Sequence, residues 1–179
     1  MHRLYFALYP DAQAAEAIVT LIADLRGRLG LTGRPVDRER LHISLNFVGR
    51  GAAPPPAELI AQASAVAAAV RARSFAVGLD RVASFRGDRE RRPLVLLSDD
   101  GVVGVLALHE TLHKALADAH MLPRKEPVIV PHLTLLRDPV EAPETFVSPV
   151  RWMVRDFVLI YSIEGQGRHN VLGRWTLES

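Results

Sequence analysis

The chain has 179 residues, of which 49% are hydrophobic and 23% are charged. This length suits one domain with a buried core, and the composition excludes a disordered or collagen-like chain. The formal net charge is only +2 although the isoelectric point is about 9.4. The high value arises because all basic residues except Lys114 and Lys125 are arginines, which do not titrate in the working range. Charge therefore argues against a surface that binds nucleic acid indiscriminately.

The chain has no cysteine, which excludes disulfides, thiolate nucleophiles and cysteine-based metal sites. No apolar stretch of useful length precedes Pro10, which argues against a signal peptide. The longest apolar runs are too short for a transmembrane helix. We therefore expect a cytoplasmic protein with no membrane partner, and we expect a monomer.

Hydrophobic periodicity predicts strands and helices in mixed order. Arg3–Tyr9 is predicted as a strand, and Asp11 is predicted to cap a helix that Gly30 ends. Further strands are predicted at Leu41–Val48, Phe75–Leu79, Leu94–Ser98, Val130–Leu136, Trp152–Ile163 and Val171–Leu177. Further helices are predicted at Pro56–Arg73 and Val102–His120, with a proline-rich connection at Pro139–Pro149. No strict strand–helix–strand unit repeats, so the order favours an α+β fold with a largely antiparallel sheet.

Two of the predicted strands carry the same short pattern. They read Leu41-His42-Ile43-Ser44-Leu45 and Pro131-His132-Leu133-Thr134-Leu135. Because residues i and i+2 share a face of a strand, the imidazole and the hydroxyl of each segment point the same way. The hydroxyl repeats together with the histidine, which favours an internal duplication with both histidines facing one groove.

This set of groups is suited to hydrolysis of a phosphodiester without a metal or a cofactor. The ordinary pKa of an imidazole, roughly 6.5, lets one of His42 and His132 act as base while the other acts as acid. The hydroxyls of Ser44 and Thr134 can hydrogen-bond phosphate oxygens without adding charge.

With these motifs the chain resembles the 2H phosphoesterases, and most closely the bacterial RNA 2′,3′-cyclic phosphodiesterases, also called 2′-5′ RNA ligases. The resemblance covers most of the chain. Besides the two motif strands, the similar blocks are Arg3–Leu8, Gly33–Val36, Asn46–Gly49, Leu136–Asp138, Tyr161–Ser162, Gly167–Arg168 and Arg174–Trp175.

The resemblance implies a bilobal fold in which two mainly antiparallel sheets surround a central groove, with helices on the outside. Residues 1–179 would form one domain of two pseudo-symmetric lobes. The implied reaction opens a 2′,3′-cyclic phosphate to a 2′-phosphate, with reversible 2′-5′ ligation as a second activity. The implied substrates are RNA 3′ ends or small cyclic nucleotides. The family mechanism implies His42 as acid and His132 as base, and Arg137 matches an arginine that stabilises charge on the phosphate.

Several positions near the motifs depart from the pattern or leave alternatives open. The alternation of side chains along a strand places Arg137 on the face opposite His132, unless a bulge or a strand end intervenes. The same alternation predicts that Asn46 faces the groove. Phe47 fits either a place under a substrate base or a place in the core. Arg34 and Arg168 are weaker phosphate candidates, and the arginines of Arg86–Arg92 are most simply a solvated hairpin turn.

Two other functions compete with this interpretation. His109-Glu110-x-x-His113 on a predicted helix matches a zinc-hydrolase signature. A catalytic zinc site needs a third protein ligand, and His120 lies about 10 Å further along the helix axis at about 1.5 Å per residue. We therefore expect a solvated or groove-edge pair of histidines. The other alternative is a non-catalytic nucleotide-binding module on the same fold.

Overall fold

The computed structural model describes residues 1–179 and contains three α-helices and eight strands. The helices are α1 (Ala12–Leu29), α2 (Ala57–Ala69) and α3 (Val103–Asp118), and one 3-10 turn spans Arg38–Arg40. The strands are β1 (His2–Leu8), β2 (Ile43–Gly51), β3 (Phe75–Ser84), β4 (Arg92–Leu97), β5 (His132–Asp138), β6 (Thr145–Val154), β7 (Asp156–Ile163) and β8 (His169–Thr176). None of the helices has the length and hydropathy needed to cross a bilayer.

The strands form one sheet in the order β6-β3-β4-β5-β2-β1-β7-β8, and all neighbouring strands are antiparallel. In the middle, β2 and β5 are joined by the single residue pair Ile43 and Leu133. The sheet therefore consists of two four-stranded halves that touch at one point. The predicted α+β fold with mainly antiparallel strands is confirmed, and this pair connects the two predicted sheets.

The hydrophobic core lies between one face of the sheet and the helices. Leu4 and Phe6 of β1, Ile18 of α1 and Leu108 of α3 are each at most 1% exposed and belong to this core. Burying one such side chain stabilises the fold by about 1.5–3 kcal/mol. The alternate residues of β1, including Tyr5, belong to a small separate cluster. The face of the sheet opposite the helices is thereby left for the polar residues of the motifs.

Helix α1 begins and ends where the sequence predicts. The Asp11 carboxylate accepts a hydrogen bond from the Ala14 backbone N–H at 2.8 Å, and Gly30 ends the helix with a φ of 62°. An N-cap carboxylate satisfies a free backbone donor, and a positive φ costs glycine little. The predicted cap and stop are both confirmed.

The prediction of one long strand over Trp152–Ile163 is wrong. The chain leaves the sheet at Arg155, so β6 pairs with β3 at one edge while β7 pairs with β1 in the other half. The Leu177 backbone N–H donates to the Arg155 carbonyl at 2.8 Å and holds this break. The predicted connection Pro139–Pro149 is also partly wrong, because β6 begins at Thr145.

Asp138, at the end of β5, fastens the segment before the first motif to the second motif strand. Its carboxylate accepts backbone N–H groups from Thr32 at 2.7 Å, Gly33 at 2.6 Å and Val140 at 2.9 Å. Burial raises the pKa of Asp138, but these three donors and the charge of Arg26 together lower it by more, and the net shift is downward. A side chain at Gly33 would collide with the Arg137 carbonyl, so glycine permits this close approach.

We expect Asp138→Ala to reduce the free energy of unfolding by at least about 2 kcal/mol, because it leaves three part-buried backbone donors without their charged acceptor. Asp138→Asn should lose less, since one oxygen remains. The measurement is urea unfolding at pH 7, with the exposed Asp100→Ala as control. Equal stabilities of Asp138→Ala and the native protein would contradict this role.

Candidate active site

The two motifs meet at the junction between the halves of the sheet. Because Ile43 pairs with Leu133 in antiparallel register, His42 lies across from Thr134 and Ser44 lies across from His132. The four polar side chains are half-buried. Ile43 and Leu133, which point to the other face, are fully buried. The structure thus brings the two predicted histidines and the two predicted hydroxyls together on one face.

Each motif histidine is held by the same backbone contact. His42 Nδ1 lies 2.6 Å from the carbonyl oxygen of Arg40, and His132 Nδ1 lies 2.7 Å from that of Val130. A carbonyl oxygen can only accept, so Nδ1 carries the proton in both rings. In the neutral form, Nε2 of each ring is therefore the free basic atom.

Both motif strands contain a bulge directly after the motif. On β2, Ala7 pairs with Ser44 but Tyr5 pairs with Phe47, and on β5, Val95 pairs with Thr134 but Leu94 pairs with Leu136. One extra residue on each strand shifts the alternation of side chains.

The bulges decide the direction of the residues that follow. Phe47 is 50% exposed and its ring stacks on Tyr5 at a centroid distance of 5.0 Å, so it does not pack in the core. Arg137 occupies the matching position of β5 and is also exposed, on the same face as the histidines. Asn46, in contrast, is turned inward and is 3% exposed. Its side-chain N–H donates to the His109 carbonyl at 3.4 Å. The prediction that Asn46 faces the groove is wrong.

The surroundings of His42 are aromatic and enclosed. Its ring centroid lies 4.8 Å from that of His169, 5.6 Å from Tyr5 and 6.5 Å from Tyr9. Burial lowers the pKa of His42 to about 4, and the positive charges of Arg40 and His132 act in the same direction. His42 is therefore neutral near neutral pH.

Sequence reasoning missed three of these neighbours, namely Tyr5, Tyr9 and His169. Burial lowers the pKa of His169 to about 3, with His42 and Arg40 adding to the shift. His169 follows a glycine-rich turn far along the chain, and no local pattern places it beside the first motif. His132 is less enclosed, with the ring of Phe85 at a centroid distance of 4.8 Å.

The candidate arginines differ in their positions. Burial lowers the pKa of Arg137, and the charges of Arg91 and Arg3 act in the same direction. Arg34 is exposed and pairs with Asp37 at 3.2 Å. Arg168 lines a cavity of about 350 Å³ next to His169. The remaining arginines of Arg86–Arg92 lie on or next to the exposed connection between β3 and β4.

The histidines of the His109-Glu110-x-x-His113 segment are not solvated, and that prediction is wrong. His109 is 2% and His113 is 4% exposed, and both belong to the helix α3 on the core side of the sheet. His113 Nε2 donates to the Pro123 carbonyl at 3.0 Å, and His109 Nε2 lies 3.3 Å from the Glu126 carboxylate. No group of three or more histidine, aspartate or glutamate side chains is placed to hold a metal ion. The zinc-hydrolase alternative therefore lacks its third ligand.

A comparison with protein families identifies the chain. The model of the 2′-5′ RNA ligase superfamily matches residues 9–166. The chain belongs to this superfamily. The family and the paired histidines support an enzyme that processes phosphodiesters. No curated protein sequence matches the chain significantly.

Several solved structures share the fold. E. coli LigT in apo form is 28% identical, with a TM-score of 0.77 over 99% of this chain and 98% of that chain. E. coli LigT complexed with 3′-AMP is also 28% identical, with a TM-score of 0.74 over 99% of both chains. A protein of Thermus thermophilus is 23% identical, with a TM-score of 0.75 over 97% of both chains, and shows the shared fold.

The enclosed histidines predict a loss of stability in mild acid. The pKa of His42, His109 and His169 is lowered in the folded protein, chiefly by burial, whereas an unfolded histidine has a pKa of about 6.5. The unfolded chain therefore binds more protons below about pH 6.5, and stability falls as the pH decreases from there towards the native values. We expect the midpoint of urea unfolding to decrease between pH 7 and pH 5.

His109→Gln should reduce the change in the urea midpoint between pH 7 and pH 5, whether or not it alters the stability at pH 7. The control is the exposed His120→Asn, in which asparagine tolerates the positive φ of 58° at that position. If the midpoint of urea unfolding of the native protein does not change between pH 7 and pH 5, protonation of these histidines does not destabilise the fold and the prediction is wrong.

Proposed function

We propose that the protein hydrolyses 2′,3′-cyclic phosphate ends of RNA to 2′-phosphomonoesters, without a metal, using His42 and His132 as the acid/base pair. The observation that carries this proposal is the matched pair of imidazoles at the β2–β5 junction. Each has its Nδ1 bound to a backbone carbonyl, which leaves Nε2 for the reaction. Superfamily membership supports the same class of chemistry.

The proposed reaction needs one proton acceptor and one proton donor on opposite sides of the phosphorus. The acceptor takes a proton from a water molecule, whose oxygen forms the new bond to phosphorus. The donor gives a proton to the 3′-oxygen as its bond to phosphorus breaks, which leaves a 2′-phosphate and a 3′-hydroxyl. Ser44 and Thr134 would donate hydrogen bonds to the other phosphate oxygens, and Arg137 would balance the charge that develops there.

The environment of His42 supports a division of roles between the histidines. A base must be unprotonated to act, and burial lowers the pKa of His42 to about 4. We therefore assign His42 as base and His132 as acid, which reverses the assignment implied by the family resemblance.

The proposed substrates are RNA 3′ ends or small cyclic nucleotides. The half-exposed ring of Phe47 offers a platform for a base, and such stacking typically contributes about 1–3 kcal/mol per base. Structures of the similar protein E. coli LigT with 3′-AMP and with phosphate are consistent with ligands of this class. We further propose that the protein is a cytoplasmic monomer of two lobes and that it also catalyses the reverse 2′-5′ ligation.

Removal of either histidine tests the proposed activity. In the presence of EDTA, we expect the native protein to open the cyclic phosphate of a short RNA. His42→Ala and His132→Ala should each reduce kcat by about 10²–10⁴-fold, because each removes one proton-transfer partner. The measurement is product formation followed by chromatography.

The control for this assay is His120→Asn, which removes a histidine outside the motifs and should retain full activity. Full activity in both motif variants, or no hydrolysis by the native protein, would contradict the proposed function. Binding of the cyclic nucleotide without turnover would support the non-catalytic module instead.

The division of roles is tested with a leaving group that needs no acid. In an analogue with sulfur in place of the 3′-bridging oxygen, the thiolate leaves without protonation. We expect His132→Ala to regain at least about 10-fold of its lost kcat on this analogue, whereas His42→Ala should stay inactive. The measurement compares kcat for the oxygen and sulfur substrates, and the opposite pattern would make His42 the acid.

A further inference from the structure

His169 has no role in the proposed reaction, yet its ring contacts His42 of the first motif. It opens β8 directly after a turn in which Gly165 and Gly167 adopt positive φ values of 87° and 65°. Its ring stands edge-on to that of His42, with the centroids 4.8 Å apart and an interplanar angle of 83°.

Two tyrosines connect His169 to His42 in a chain of polar contacts. The Tyr9 hydroxyl lies 2.8 Å from His169 Nδ1. The Tyr5 hydroxyl lies 3.3 Å from His169 Nε2 and 3.5 Å from His42 Nε2. The chain ends at the Arg40 carbonyl, 2.6 Å from His42 Nδ1.

Only one direction of these hydrogen bonds satisfies all of the groups. Because the Arg40 carbonyl accepts from His42 Nδ1, His42 Nε2 has no proton and can accept one from the Tyr5 hydroxyl. The Tyr5 oxygen then accepts from His169 Nε2–H, and His169 Nδ1 accepts from the Tyr9 hydroxyl. With the opposite tautomer of His169, both imidazoles would compete for the single proton of Tyr5.

We infer that His169 is a positioning residue that directs the Tyr5 hydroxyl proton towards His42 Nε2 and so maintains His42 as a proton acceptor. The catalytic part of this inference rests on the proposed function, whereas the hydrogen-bond chain itself does not. The 3.5 Å contact between Tyr5 and His42 is long, so a substrate water can take its place.

Burial keeps the members of the chain neutral. Burial raises the pKa of Tyr5 and raises that of Tyr9 to about 12, so both phenols remain donors. Burial lowers the pKa of His169 to about 3. The charged or titratable groups that act on these side chains from other positions are Arg3 on β1, Arg40 on the 3-10 turn, His132 on β5 and Arg174 on β8. Of these, Arg40 and His132 oppose protonation of His42. Arg3, Arg40 and Arg174 lower the pKa of the tyrosines, but by less than burial raises it.

Two substitutions at position 169 separate hydrogen bonding from packing. His169→Gln places an amide N–H where the Nε2–H of histidine lies and can still donate to Tyr5. His169→Phe retains a ring of similar shape but cannot donate. The Tyr5 hydroxyl can then turn and accept a proton from a protonated His42, which stabilises the imidazolium form.

The first measurement is a ¹⁵N NMR titration of the imidazoles in the free protein. We expect the Nδ1–H tautomer of His42 in the native protein and in His169→Gln, with the same titration midpoint. In His169→Phe the midpoint of His42 should move upward by about one pH unit. A His42 that titrates alike in all three proteins, or that carries its proton on Nε2, would overturn the inference.

The second measurement is the pH dependence of kcat/KM. We expect the acid limb of this profile to move upward by about one pH unit in His169→Phe but not in His169→Gln. KM should be unchanged in both variants, because residue 169 does not contact the phosphate in this proposal. A purely structural role would lower kcat/KM at every pH without moving the limb. If His169→Phe does not fold, Tyr9→Phe tests the same chain by removing the donor to Nδ1, and its His42 midpoint should move in the same direction.

The two proposals can fail separately. Absence of hydrolysis in every variant contradicts the proposed function, and the NMR titration then still decides the hydrogen-bond chain. Normal hydrolysis with identical His42 titrations in all variants retains the proposed function and removes the role of His169.

Discussion

The site depends on the single pair, Ile43 with Leu133, that joins the two halves of the sheet. Elsewhere β2 is bonded to β1 and β5 to β4, so the motif strands belong to different halves and only touch here. Both residues of the pair are fully buried, which determines the face on which the flanking side chains lie. A slip of one residue would turn His42 and His132 towards the core, because side chains alternate along a strand. The burial of two apolar residues thus determines the position of the polar groups.

The same local structure at the two motifs produces two different environments. In each motif a backbone carbonyl binds Nδ1, and in each a bulge brings the residue five positions after the histidine to the groove side, Phe47 in one and Arg137 in the other. The surroundings then differ, since His42 is enclosed by tyrosines and His169 whereas His132 contacts Phe85. Enclosure by neutral groups disfavours a charged imidazole. Two similar motifs can therefore take opposite roles in proton transfer.

Groups far from the chemistry keep the two motifs in place. Asp138 binds the backbone that precedes the first motif to the end of the second motif strand. On the other side of the sheet, the Asn46 side chain donates to the His109 carbonyl of α3. The histidines that resembled a zinc signature thus belong to the packing beneath the groove. Their side chains connect α3 to the segment around Pro123 and Glu126, which leads into the second motif.

The sequence by itself determined the features that depend on neighbouring residues. The cap and stop of α1 at Asp11 and Gly30 follow from backbone groups within a few positions of each residue, and the two His-x-Ser/Thr segments follow from strand alternation. The polar pair Arg155-Asp156 interrupts the alternation between β6 and β7, but the pattern alone does not indicate that the chain crosses the sheet there. Only the tertiary structure decided the remaining features. These are the bulges that turn Asn46 inward and Arg137 outward, the burial of His109, and the position of His169 beside His42. The physical reason is that strand register and burial are set by contacts between segments that lie far apart along the chain, which no local pattern encodes.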